Sequence, residues 1–110
     1  MSPITTHVLD TARGRPAPDV EVALERESGD GWSPVANGRT DANGRLGELG
    51  SVAEPGRYRL RFDSGAYFAA TDTPAFFPEV AVQFTVERPE EHHHVPLLLS
   101  PFGYSTYRGS

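Results

Sequence analysis

Four histidines stand in this chain of 110 residues: His7 alone near the start, and His92-His93-His94 together near the end. An imidazole titrates near neutral pH, so it can take or give a proton, and its neutral form ligates metals. Period-two alternation along Ile4-Thr5-Thr6-His7-Val8-Leu9-Asp10 puts Thr5, His7 and Leu9 on one strand face and Ile4, Thr6 and Val8 on the other. If the Val8 side meets a core, His7 looks outward beside an apolar Leu9. A face carrying both marks a contact surface or a pocket wall. In Glu91-His92-His93-His94-Val95-Pro96-Leu97-Leu98-Leu99-Ser100-Pro101, the residues His92, His94, Pro96 and Leu98 share one face; His93, Val95, Leu97 and Leu99 share the other. Both faces of the leucine-rich half are apolar. One is core, and the simplest cover for the other is a second copy of the chain. His92, His94 and His7 also have the makings of a three-histidine metal set, although a His-x-His on a strand is common without metal. The chain closes on Tyr107-Arg108-Gly109-Ser110, where the terminal carboxylate is a further group that can be placed.

The elements that must hold these residues read as short strands. Eleven Gly and ten Pro interrupt the chain too often for long helices. Val20, Val22 and Leu24 alternate with Glu21, Ala23 and Glu25. Tyr58, Leu60 and Phe62 alternate with Arg57, Arg59, Arg61 and Asp63, and Val80, Val82, Phe84 and Val86 with Ala81, Gln83 and Thr85. One buried and one wet face per strand suits an antiparallel sandwich better than a parallel sheet, whose strands are apolar throughout. Ser28-Gly29-Asp30-Gly31 and Asp41-Ala42-Asn43-Gly44 are turns that tolerate positive φ, and Pro55-Gly56 opens the Tyr58 strand. The single hint of helix runs from Ser64 to Ala70 and is two turns long at most. The expected fold is all-β: an antiparallel sandwich of about seven or eight short strands with one short helix, in one domain over residues 1–110.

Bulk composition narrows the partners. Ten Lys plus Arg against fifteen Asp plus Glu leave a net charge of −5, which argues against nucleic acid or an anionic membrane as the main partner. Zero cysteines remove disulfides, cysteine-ligated zinc and a thiol nucleophile together. The opening Met1-Ser2-Pro3-Ile4-Thr5-Thr6 has neither the basic nor the apolar region of a secretory signal, and no apolar run approaches the ~20 residues of a membrane helix. A cytoplasmic protein of bacterial type is the expectation.

Four motifs carry a resemblance over essentially the whole chain: His7-Val8-Leu9-Asp10, the Asn43-Gly44-Arg45 turn, the strand His94-Val95-Pro96-Leu97-Leu98-Leu99-Ser100, and the closing Tyr107-Arg108-Gly109-Ser110. In this order and spacing they resemble the 5-hydroxyisourate hydrolases of the transthyretin-like family. The Tyr-Arg-Gly-Ser ending is the most specific, because the hormone carriers of the same fold lack it and lack these histidines. The resemblance implies a transthyretin-like sandwich and a homotetramer, a dimer of dimers, with sites in a channel across the dimer–dimer face. It implies catalytic residues His7, Arg45 and His94, and substrate contacts from Tyr107, Arg108, Gly109 and Ser110, with neither metal nor cofactor. One departure stands out: the family has His-Tyr-His before the valine, and this chain has His93 in the tyrosine place. Alternation points His93 away from His92 and His94, so altered packing with the site intact is expected.

The reaction implied is hydrolysis of 5-hydroxyisourate to 2-oxo-4-hydroxy-4-carboxy-5-ureidoimidazoline, in urate degradation. Water attacks a cyclic acyl carbon and a ring nitrogen leaves. A water must be deprotonated, an oxyanion stabilised and the leaving nitrogen protonated. Two histidines suit the first and last, in either assignment, and an arginine suits the second. The alternative is a carrier of small ligands on the same fold, without catalysis.

Overall fold

The computed structural model describes residues 2–47, 49–52 and 54–110, apart from the side chains of Ser2 and Ser51. Among these, ten strands and one helix follow in chain order: β1 Ser2–Asp10, β2 Arg15–Pro16, β3 Glu21–Ser28, β4 Gly31–Arg39, β5 Arg45–Leu46, β6 Ser51–Val52, β7 Gly56–Phe62, α1 Ser64–Ala70, β8 Val80–Val86, β9 His93–Ser100 and β10 Gly103–Thr106. Three of the ten (β2, β5 and β6) are two-residue pairings against β1. Five of the other seven (β1, β3, β7, β8 and β9) are strands that alternation predicts, and β4 and β10 pair alongside β3 and β9.

They form two sheets, one ordered β10-β9-β1-β2 with β5 and β6 also on β1, the other β4-β3-β7-β8. All pairings but one are antiparallel. The exception joins the two histidine-bearing segments: β1 and β9 run parallel, from Ile4 opposite His93 to Asp10 opposite Leu99.

The inner faces make the core. Val20, Val22, Leu24, Tyr58, Leu60, Phe62, Val80 and Val86 face Ile4, Val8, Val95, Leu97 and Leu99, all buried. Phe68 of α1 joins them. The outer face of the second sheet is charged: Arg59 pairs with Glu25 and lies 4.4 Å over the Trp32 ring, and Arg61 pairs with Glu79. α1 starts where the Asp63 carboxylate accepts from the Ala66 N–H at 3.1 Å, a side-chain N-cap. The chain turns back at Thr71, two turns later, and closes the helix.

His93 lies inside this core at 5% exposure, and its Nδ1 has no hydrogen-bond partner among the described residues. Its side chain points away from His92 and His94, as alternation requires.

Candidate active site

The outer face of the first sheet carries His7 and His94, with Arg45 paired beside them. β1 lies between β9 on one side and β5 on the other, which sets Thr5 opposite His94 and His7 opposite Arg45. Residues two apart on a strand share a face at a spacing of roughly 6–7 Å. Thr5 and His7 therefore bring the early histidine, the turn arginine and the late histidine together, although 89 residues separate Thr5 from His94.

The turn before Arg45 is built around one carboxylate. Asp41 accepts from the backbone N–H groups of Asn43 at 2.8 Å and Arg45 at 3.0 Å. These bonds hold the Asp41 carboxyl below its ordinary range, with the charges of Arg45 and His7 helping. Gly44 follows at φ +74°, where a Cβ would meet the Val8 carbonyl oxygen. Only glycine lets this turn sit against β1, and the Val8 N–H donates to the Gly44 carbonyl at 2.7 Å.

The turn also orients His7. Its Nε2 lies 2.9 Å from the Asn43 carbonyl oxygen. A carbonyl only accepts, so Nε2 carries a hydrogen and Nδ1 is the nitrogen left to take a proton. Arg45 is exposed, and its guanidinium has no hydrogen bond or ion pair among the described residues. It is free to meet a ligand.

His94 is half-buried. Burial first, then the charges of His92, Arg45 and His7, lower its pKa from the ordinary 6.5. At neutral pH it is a neutral imidazole. The Gly109 N–H donates to its carbonyl at 2.9 Å, pinning the closing segment alongside. A Cβ on Gly109 would lie 2.5 Å from the ring Cδ2.

Thr5, Arg45, Gly47, His92, His94 and Ser110 wall one cavity of about 280 Å³. That is near the lower end of ligand pockets, roughly 300–1,000 Å³, and suits a small polar ring. His7 sits beside it across the Arg45 pairing. Tyr107 and Arg108, both exposed, wall a second cavity of about 310 Å³ with Phe84 and His93, and His94 stands between the two. The sequence-predicted residues thus divide: His94, Arg45 and Ser110 share a cavity, His7 adjoins it, Gly109 shapes His94, and Tyr107 and Arg108 lie on the far side. A larger cleft of about 540 Å³ near Arg13, Arg15 and Tyr67 contains none of the histidines.

Among the described residues no group of three or more His, Asp or Glu side chains is arranged to hold a metal ion. His92 Nε2 and His94 Nδ1 both approach the Thr5 hydroxyl, at 2.7 and 2.8 Å. Sequence reasoning gave Thr5 no role. The one available signal was its place on the His7 face of β1.

Residues 4–109 match the HIUase/Transthyretin family. The chain belongs to that family. A 5-hydroxyisourate hydrolase from Salmonella dublin is 48% identical over 109 residues, covering 97% of this chain and 80% of the relative. Another from Caulobacter vibrioides is 45% identical, with both chains covered in full. The solved structure of Klebsiella pneumoniae 5-hydroxyisourate hydrolase aligns at a TM-score of 0.89 and 39% identity, covering all of both chains. Sea bream transthyretin in complex with thyroxine aligns at 0.90 with 34% identity, over 97% of this chain and 94% of that one. The hydrolase and the thyroxine-bound transthyretin are equally good matches in backbone, so the family's fold does not choose between them. The side chains on the outer face of β1 and β9 must.

Proposed function

We propose that this chain is a 5-hydroxyisourate hydrolase acting in urate degradation. The observation that carries the reading is the convergence of neutral His94, unpaired Arg45 and Ser110 on one small cavity, with His7 held next to it. Relatives of 45–48% identity, named for that activity, support it over nearly the full length.

The geometry supports a division of labour among these residues. A neutral imidazole is the form that accepts a proton, and both His94 and His7 offer a nitrogen for it. One of the pair takes a proton from water as its oxygen attacks the ring acyl carbon. The C–N bond breaks, and the other gives a proton to the departing nitrogen, leaving 2-oxo-4-hydroxy-4-carboxy-5-ureidoimidazoline. A positioned acid or base contributes roughly 10²–10⁴-fold. Arg45, whose guanidinium makes no ion pair among the described residues, holds the oxygen that becomes negative. Ser110 adds a polar contact in the cavity and Gly109 leaves room for the His94 ring. Tyr107 and Arg108 close the neighbouring side. Neither a metal nor an organic cofactor enters the scheme.

A homotetramer, a dimer of dimers, belongs to the same proposal. Leu9 and Leu98 are adjacent and half-buried on the site's own face. At the β10 side Phe76 is 72% exposed, Phe102 71% and Tyr104 44%, and Phe77 stacks edge-on to Tyr104 at 5.4 Å. Apolar surface of this extent calls for a cover, and a second copy supplies one. Light scattering during size exclusion measures the assembly. Cytoplasmic location, which zero cysteines fit, is checked by cell fractionation. None of the described helices is long and apolar enough to cross a membrane.

The test is decay of 5-hydroxyisourate, generated in place from urate by urate oxidase and followed in the ultraviolet. Acceleration that disappears in His7→Ala and His94→Ala establishes the hydrolase and its two histidines. A folded protein that leaves the decay unchanged sinks the reading, and binding of small aromatic ligands would then favour the carrier.

A further inference from the structure

The two-histidine scheme gives no task to Thr5 or His92, yet both are tied to His94. The Thr5 hydroxyl lies 2.8 Å from His94 Nδ1 and 2.7 Å from His92 Nε2, and the two rings are 6.1 Å apart. A hydroxyl has one proton to donate and lone pairs to accept with. It can donate to only one of the two imidazoles, and where it donates to either it accepts from the other, in one of two arrangements.

In the first, Thr5 donates to His92 Nε2 and His94 Nδ1–H donates to Thr5. The neutral His94 ring then has a bare Nε2, the form of a base. In the second, Thr5 donates to His94 Nδ1 and His92 Nε2–H donates to Thr5. A neutral His94 must then carry its proton on Nε2, the form of an acid. Threonine's single proton makes the two tautomers mutually dependent.

From this geometry we propose that Thr5 and His92 are positioning residues that form a proton relay behind His94. The inference rests on the hydrolase reading for its catalytic meaning. When His94 Nε2 takes a proton from the attacking water, its Nδ1 proton passes to Thr5 Oγ1 and the Thr5 proton passes to His92 Nε2. His94 is left neutral with Nε2–H. The positive charge sits on His92, which is exposed, and not on half-buried His94 beside Arg45 and His7. Donation from Nε2 runs the relay backwards: His92 returns its proton to Thr5, and Thr5 returns one to His94 Nδ1. Every proton is accounted for, and the site regains its starting state.

The test has two independent readouts. The first is imidazole ¹⁵N NMR on the resting protein without substrate. Wild type is expected to hold His94 in the Nδ1–H tautomer with Nε2 bare; Thr5→Val abolishes that preference and Thr5→Ser restores it. The second is steady-state kinetics of Thr5→Val and His92→Gln, with folding verified by melting temperature. Both are expected to lower kcat by roughly ten- to a hundredfold, part of what an acid–base group supplies, with KM little changed, and Thr5→Ser recovers most of it. Should the NMR effects appear in a protein that does not hydrolyse 5-hydroxyisourate, the hydrolase reading fails while the Thr5–His92 coupling stands. An active protein whose tautomer and kcat ignore both Thr5→Val and His92→Gln overturns the relay.

Discussion

Replacing Gly109 with alanine puts a methyl group 2.5 Å from Cδ2 of His94, 3.2 Å from Cγ and 3.4 Å from Cβ. Non-bonded carbons rest at about 3.5–4.0 Å, so the closest pair must separate by about 1 Å. The strain does not come from the backbone, because Gly109 is not among the glycines with positive φ. Nor can the ring swing away freely, since its Nδ1 is held at 2.8 Å by Thr5. Either the imidazole tilts off its bond or the Gly109 N–H loses the His94 carbonyl. A misplacement near 1 Å in a catalytic group costs about 10²-fold, which is about 2.7 kcal/mol of barrier. Gly109→Ala is therefore expected to lower kcat/KM about a hundredfold in the ultraviolet decay assay. Global stability should barely move: the residue lies at a half-buried edge, and Gly→Ala at an ordinary φ is itself worth only about 0.4–1 kcal/mol. Wild-type kcat/KM in a Gly109→Ala protein with an unshifted melting temperature would refute the claim that Gly109 exists to seat His94.

Other perturbations separate the parts of the site. Arg45→Ala removes an exposed guanidinium with no protein partner among the described residues, so the melting temperature should hold while kcat falls about 10²–10³-fold, the range for losing an oxyanion donor. Activity should persist as pH drops below 6.5, because burial lowers the His94 pKa from that value and keeps the base form; an acid limb above 6.5 in kcat/KM would contradict it. The same shift has a stability consequence. The unfolded chain binds a proton at His94 that the folded chain resists, so this contribution is fully present above pH 6.5 and is lost as pH falls toward the lowered folded value, as urea titrations at several pH values would register. Leu60→Ala, at 0% exposure in the middle of β7, should cost about 2–5 kcal/mol by urea denaturation without altering KM.

Much of this scaffold is legible in single residues. The alternation of Val22 and Leu24, of Leu60 and Phe62, and of Val80 and Val82 gives the inner faces directly, because a half-buried strand has no other way to satisfy both of its sides. The helix from Ser64 to Ala70 reads with equal ease, being the one stretch of small and aromatic residues between an Asp cap and a proline. What the sequence conceals is pairing across distance. Nothing local in Ile4–Asp10 or in His93–Leu99 announces that they lie parallel and adjacent, so Thr5 stays anonymous until His94 is set opposite it. Tyr107 and Arg108 fail to join Ser110 for a related reason. The segment passes beside His94, and a residue's side of that ring is decided by the bridge at Gly109, which is a backbone contact.

The parallel pairing also explains how one fold can hold both an enzyme and a carrier. Inner-face residues such as Val8, Val95 and Leu97 fix the β1–β9 register, and the outer face inherits that register whatever it bears. Thr5, His7 and His94 occupy outward positions whose change leaves the core untouched, and Arg45 hangs from a turn that Asp41 and Gly44 secure through backbone atoms. On the proposed reading, a few outward substitutions suffice to gain or lose a hydrolytic site at nearly constant stability. Backbone similarity of 0.89 to a hydrolase and 0.90 to a thyroxine-bound transthyretin is what such an arrangement produces. On that reading, function is set by the few side chains that never enter the core.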